Sequence, residues 1–187
     1  MAFVMEMDRL KGVIRRSLTL GGQREENSAE HSWHLALMVV LLAEYADQPF
    51  DLARAVKMAL VHDLVEIDAG DTFCYDEQAC RDKDVREQRA ADRLFAVLPP
   101  EQGAEFRALW EEFEAAVTPE SRIANAMDRL QPLLLNYHSM GKAWREHGVT
   151  QDRVVERCRP IGEGSEKLWE YARKLIEKAV EDGYVTH

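Results

Sequence analysis

Imidazoles and carboxylates at core-like positions are the residues of this chain best suited to chemistry, and three places carry them. Glu30-His31-Ser32-Trp33-His34 stands just before the apolar run Leu35–Ala43. His62-Asp63 follows directly on Met58-Ala59-Leu60-Val61, with Glu66 and Asp71 close behind. Asp128 is set among Ala124, Ala126, Met127, Leu130 and Leu133. A charge among apolar side chains costs several kcal/mol unless it is paired or binds a metal. On a helix His62 and Glu66 share a face, as do Asp63 and Glu66. His-Asp-x-x-Glu therefore turns one imidazole and two carboxylates the same way. Pro132 removes the N–H that would bond the carbonyl of Asp128, which predicts a kink beside that aspartate.

Mixed imidazole and carboxylate donors suit a divalent ion such as Mn, Fe, Co, Ni, Zn or Mg. The chain has no His-Glu-x-x-His, so the zinc-protease helix is absent, and no Glu-x-x-His, so the usual di-iron bundle pattern is absent too. Cys74, Cys80 and Cys158 form no Cys-x-x-Cys pair and read as free thiols in a reducing cytoplasm. Cys74 has no base arranged to make it a nucleophile. A lone histidine beside an apolar run is more often a satisfied core residue. Four ligand-type residues at such positions turn the reading toward metal. His34 reads as ordinary packing, and His138, His147 and His187 as solvated. Arg15 and Arg16, taken alone, are surface charges. Trp110, Phe113 and Trp144 read as core or interface anchors.

Helices must position these residues. Period-two Val-Ile-Thr runs are absent, and long Pro-free stretches are rich in Ala, Leu, Glu, Lys and Arg. The pattern predicts helices at about 4–18, 28–46, 51–68, 82–97, 101–116, 120–140, 151–158 and 163–182, with Gly and Pro between them. Asn27 or Ser28, Asp51 and Thr118 are the expected N-caps. Leu35–Ala43 and Met58–Val61 are apolar nearly all round, which predicts helices at the bundle centre. The stretch 76–93 reads as a solvated helix, with a cleft-covering lid as the lesser alternative. Leu168, Tyr171, Ala172, Leu175, Ile176, Ala179 and Val180 make one stripe on the last helix. The expectation is a single all-α domain over 1–187, its metal-site core at about 6–140 and a helical tail at 141–187.

The 187 residues suit one domain. With 24 basic and 34 acidic residues the net charge is −10. Such a surface repels a phosphate backbone, which argues against a nucleic-acid partner. A small anionic substrate stays possible where a local cation reverses the field. No apolar run reaches the ~18–20 residues of a spanning helix, and the N-terminus does not look like a signal peptide, so the expectation is a cytoplasmic protein without a membrane partner.

The order His31, His62-Asp63, Asp128 resembles the HD-domain metal-dependent phosphohydrolases. Local strings resemble the 5′-deoxynucleotidase branch of that family: Leu10-Lys11-x-Val13-x-Arg15, Glu26-Asn27-Ser28-Ala29-Glu30-His31-Ser32 and His62-Asp63-x-x-Glu66-x-x-x-Gly70-Asp71. Lys83-x-x-Arg86-Glu87, Leu98-Pro99 and Leu109-Trp110-Glu111-Glu112-Phe113-Glu114 follow in the same order. The resemblance implies an HD-type helical bundle with a divalent ion held by His31, His62, Asp63 and Asp128. It implies that Glu66 and Asp71 do acid–base work or hold a second ion with Thr72, and that Arg15 faces the substrate phosphate. The implied reaction is hydrolysis of nucleoside 5′-monophosphates to nucleoside and phosphate. Hydrolysis of a cyclic or polyphosphorylated nucleotide, or metal and nucleotide binding without turnover, are the alternatives. One departure bears on base or sugar selection: where the branch tends to place a tryptophan after its arginine, Arg16-Ser17-Leu18 follows Arg15 here. Base rates for oligomers give a C₂ homodimer as the expected assembly.

Overall fold

The computed structural model describes residues 1–186. A short helix α1 (Ala2–Asp8) and a 3₁₀ turn (Arg9–Gly12) lead into a two-stranded antiparallel hairpin, β1 (Ile14–Leu18) and β2 (Glu25–Asn27). Ile14 pairs with Asn27 and Leu18 with Glu25, with an irregularity between them. The long helices are α2 (Ser28–Leu42), α3 (Leu52–Val61), α6 (Lys83–Phe95), α7 (Pro100–Ala115), α8 (Pro119–His138) and α12 (Glu166–Glu181). Shorter ones are α4 (Glu66–Ala69), α5 (Glu77–Cys80), α9 (Lys142–Glu146), α10 (Gln151–Cys158) and α11 (Ile161–Gly164). No helix among the described residues is long and apolar enough to cross a membrane.

The starts of the site-bearing helices are capped. Asn27 accepts from the Glu30 N–H while the Glu30 carboxylate accepts from the Asn27 N–H, a capping box that opens α2. Asp51 accepts from the Arg54 N–H at the start of α3. Thr118 and Ser121 cap α8 reciprocally, with Pro119 in the first turn. These are three of the expected caps.

Helices α2, α3 and α8 pack on one another at the centre. One core cluster joins Leu35 and Val39 of α2 to Ile123, Met127 and Leu130 of α8, and on to Ile161, Ala172 and Ile176 of the C-terminal helices. A second joins Met58 and Val61 of α3 to Leu94, Leu109, Trp110 and Phe113 of α6 and α7. The polar residues of interest lie where the two clusters meet.

Four expectations are corrected. Residues 4–18 are not one helix, and Arg15 lies on a strand. Gly21 and Gly22, both at positive φ, turn the chain back, and the Thr19 N–H takes the Arg24 carbonyl at 2.9 Å. The strand pairing brings in residues seven and thirteen positions away, which a 3.6-residue period does not register. Residues 51–68 are not one helix either. The α3 ladder ends at Val61 and a 3₁₀ turn runs His62–Val65. His62 Nδ1 lies 2.9 Å from the Ala59 carbonyl, the group that the Asp63 N–H would take in a continuing α-helix. The run Leu35–Ala43 is not buried all round: Leu35, Ala36, Met38 and Val39 are buried, whereas Leu37, Val40 and Leu41 are exposed. The stretch 76–93 is two helices, α5 and α6, solvated at most positions, and α6 turns Glu87, Ala90 and Ala91 inward against its neighbours.

Candidate metal centre and its cleft

His31 lies in the first turns of α2 and is fully buried. Its Nδ1 is 3.1 Å from Gln131 Oε1, and its Nε2 is 2.8 Å from Asp128 Oδ1. The Gln131 orientation is fixed by its other end, where Nε2 donates to Glu26 Oε1 at 2.6 Å. Gln131 therefore offers an acceptor to His31, so Nδ1 carries the proton and Nε2 presents a lone pair. Burial, with the Arg15 charge adding to it, holds the His31 pKa below its ordinary value, which favours the neutral ring. A bare ring nitrogen then faces a carboxylate oxygen at hydrogen-bond distance, an arrangement that repels unless a cation lies between them.

His62 repeats the pattern. Its Nδ1 donates to the Ala59 carbonyl, and its buried Nε2 has no hydrogen-bond partner. That atom is 3.0 Å from Asp63 Oδ1 and 3.6 Å from Asp128 Oδ1. One donor atom each of His31, His62 and Asp63 lies within 4.8 Å of the others. Two donors each ~2.1 Å from a shared ion lie at most about 4.2 Å apart, so the spacings of 2.8–3.6 Å around Asp128 fit one ion. The side chains expected to hold a metal, His31, His62, Asp63 and Asp128, are thus gathered at one point, and an orphaned His62 Nε2 is the observation that favours a cation there. Imidazole and carboxylate donors select a divalent ion without fixing which.

Arg15 reaches this point from β1. Its Nη1 donates to Asp63 Oδ2 at 2.7 Å and lies 3.9 Å from both Glu66 Oε2 and Asp71 Oδ1, while its Nε is 4.0 Å from Glu26 Oε2. Burial opposes its charge, but these carboxylates raise its pKa further. Burial alone would lift Asp63, yet the charges around it, the Arg15 guanidinium among them, hold it well below the usual carboxylate range. Glu66 is pushed up, by burial first and the Asp63 charge next, and its Oε2 accepts from Ser28 Oγ at 2.6 Å. Asp71 is also raised by burial. It follows Gly70, whose φ of 74° and ψ of 154° lie in a region open essentially to glycine alone. That residue stops α4 and re-aims the chain. Thr72 Oγ1 accepts from Arg86 Nη2 at 2.9 Å, and Arg86 also donates to the carbonyls of Ala69 and Ala79.

His62, Asp63 and Asp128 open onto a cleft with a cavity volume of about 160 Å³, many times what one water needs. Arg15, Glu66, Asp71 and Thr72 line it too. Gln131, Arg129 and Arg157 were not singled out by the sequence, and Glu26, Lys83 and Glu87 stood only within the family-like strings with no role given. Gln131 carried a readable signal, a polar side chain three residues after Asp128 on the core face of α8. His34, expected to be ordinary packing, places Nδ1 3.3 Å from Gln131 Nε2 and so belongs to the network behind His31. His138 and His147 are exposed as expected, the His147 ring lying tilted against Phe73 with centroids 4.6 Å apart. His187 lies outside the described residues. Cys74, Cys80 and Cys158 are free.

Fold and site together define a helical bundle built round a His/Asp centre fitted to one divalent cation. The chain belongs to the HD domain family, whose model matches residues 7–169. It is 30% identical over 122 residues to a 5′-deoxynucleotidase HDDC2 from Xenopus laevis, covering 64% of this chain and 59% of that one. The human 5′-deoxynucleotidase HDDC2 is 28% identical over 136 residues, covering 70% and 65%. The match thus spans less than two thirds of the length of these curated relatives. A crystal structure of a predicted metal-dependent phosphohydrolase from Magnetospirillum magnetotacticum superposes with a TM-score of 0.96 at 50% identity, covering 100% of this chain and 93% of that one. PH0347 protein from Pyrococcus horikoshii, at 23% identity and a TM-score of 0.71 over 93% and 98% of the two chains, shares the fold.

Proposed function

We propose that this protein is a metal-dependent phosphohydrolase that cleaves nucleoside 5′-monophosphates to nucleoside and phosphate. The observation that carries the reading is the convergence of the bare Nε2 atoms of His31 and His62 on Asp63 and Asp128, beside an arginine-lined cleft. Likeness to 5′-deoxynucleotidases supports a nucleotide as substrate.

When bound, a divalent ion supplies Lewis acidity to a phosphoryl oxygen and acidifies nearby water. His31, His62, Asp63 and Asp128 would hold it. The resemblance puts Arg15 at the phosphate, and its guanidinium lines the cleft beside Asp63. In the reaction a water oxygen forms a bond to phosphorus, the bond from phosphorus to the 5′ oxygen breaks, and a proton must reach that oxygen. Burial raises Glu66 and Asp71, so either retains a proton to higher pH than a free carboxylic acid and is suited to donate it, regaining one from the attacking water. We assign them this role ahead of a second ion with Thr72, because the Arg15 cation already lies between their carboxylates and Arg86 already binds the Thr72 hydroxyl. A cytoplasmic C₂ homodimer completes the reading. Its support is the apolar outer face of α2 and three free thiols.

The test is phosphate release from a panel of nucleoside 5′-monophosphates, dAMP included. Turnover should vanish on chelation and return with added Mn, Co, Mg or Zn. His62→Ala and Asp63→Ala should abolish it while circular dichroism stays helical. Release of pyrophosphate or triphosphate from nucleoside di- or triphosphates with no phosphate from the monophosphates, or wild-type turnover in either variant, would overturn the assignment.

A further inference from the structure

The sequence strings point to Arg15 as the phosphate residue, yet the charge of Arg15 is already matched by Asp63, Glu66, Asp71 and Glu26. Two other arginines line the same cleft. Arg129 follows Asp128 on α8, and its guanidinium pairs with Asp128 Oδ2, the oxygen turned away from His31. Arg157 comes from α10 and is half-buried, and its side chain has neither a hydrogen bond nor an ion pair among the described residues. Both side chains line this one cleft, so their like charges share it. Val154, Cys158, Leu133 and Trp144 form the apolar wall around them, which weakens screening by water.

Two cations held together in a partly desolvated cleft repel each other. Asp128 is already committed to the candidate metal centre, and Glu114, which also lines the cleft, makes no hydrogen bond or ion pair with either arginine among the described residues. An anion with several acceptor oxygens offsets both charges, and a phosphate dianion matches two guanidinium forks. Because Arg129 touches Asp128, an anion bound there sits next to the metal-ligand cluster.

We propose that Arg157 and Arg129 form the anion clamp of this cleft, holding the phosphoryl group of the substrate, and the orthophosphate produced from it, against the Asp128 side of the centre. The inference rests on the phosphohydrolase reading but can fail separately from it.

The experiment compares metal-supplemented wild type with Arg157→Gln and Arg157→Lys. It reads KM and kcat for a nucleoside 5′-monophosphate, and separately the rise in melting temperature on titrating inorganic phosphate. A charge-assisted contact to phosphate predicts that Arg157→Gln raises KM and the apparent phosphate Kd by roughly ten- to a hundredfold, with Arg157→Lys recovering part of the loss. If wild type turns over nucleotide and Arg157→Gln matches it in both measurements, the clamp is refuted and the hydrolase stands. If wild type binds phosphate through Arg157 but releases none from any nucleotide, the clamp stands and the hydrolase reading falls. If wild type neither turns over nor binds phosphate, both fall.

Discussion

At the level of single residues the site is a chain of hydrogen bonds that ends in a bare lone pair. Glu26 orients Gln131, Gln131 orients His31, and His31 presents Nε2 to Asp128. Outer partners of this kind typically govern metal affinity by 10–100-fold. Gln131→Met keeps the volume and removes its contacts with His31, Glu26 and His34. It should weaken divalent-metal affinity by about that factor in a chelator competition while helicity persists; unchanged affinity would remove His31 from the ligand set. Glu87 gives a prediction in pH. Burial, with the Glu114 charge, raises its pKa from 4.5 to about 7 despite Lys83 at 3.4 Å. A carboxyl raised in the folded state binds more protons there than in the unfolded chain, so stability falls as pH rises from 4.5 toward 7. Glu87→Gln should flatten that decline, gaining a few degrees in melting temperature at pH 8 relative to wild type and nothing at pH 4, as thermal melts across pH would record. The ligand-type residues were legible because charge in an apolar run is anomalous by itself. Gln131, Arg129 and Arg157 were less so, because a neutral amide or an arginine on a helix is ordinary until its partners are known.

Elements explain what the sequence pattern could and could not reveal. Caps at Asn27, Asp51 and Thr118 are local chemistry and were readable. The strand that carries Arg15 depends on a partner across a glycine turn, and the break at His62 depends on a side chain taking a backbone carbonyl. Both are invisible to periodicity. The C-terminal helices were expected as a tail, and α11 packs directly on α8. Gly164 makes that approach possible: a Cβ there would lie 2.7 Å from the Arg122 carbonyl oxygen and 2.9 Å from its carbon, both backbone atoms. Gly164→Ala should therefore push α11 off α8 and destabilise the fold by about 1–3 kcal/mol, the usual cost of overpacking. Gly12→Ala, where nothing lies within 4 Å, is the matched control. Equal melting temperatures for the two variants would show that α8 and α11 do not need their close contact.

The whole molecule carries a net charge of −10, yet one face of its central helix is apolar and wet. Trp33, Leu37, Val40 and Leu41 are 64%, 41%, 49% and 64% exposed. Their spacing of i, i+4, i+7 and i+8 puts them on one stripe, opposite the Leu35 and Val39 face that enters the core. The sequence showed the apolar run but not its division, since a helix buried on both faces and one waiting for a partner have the same composition. An acidic surface repels a second copy everywhere except where charge is missing, so the stripe is the place where two copies can meet about a two-fold axis, with Trp33 as the large anchor. Sedimentation should give twice the 21.5 kDa chain mass for wild type. Leu37→Glu with Leu41→Glu should give the single mass without loss of helicity, because neither side chain belongs to the buried core. Twofold mass in that double variant would move the interface elsewhere. A monomeric wild type would leave α2 with an exposed apolar stripe that self-association does not explain.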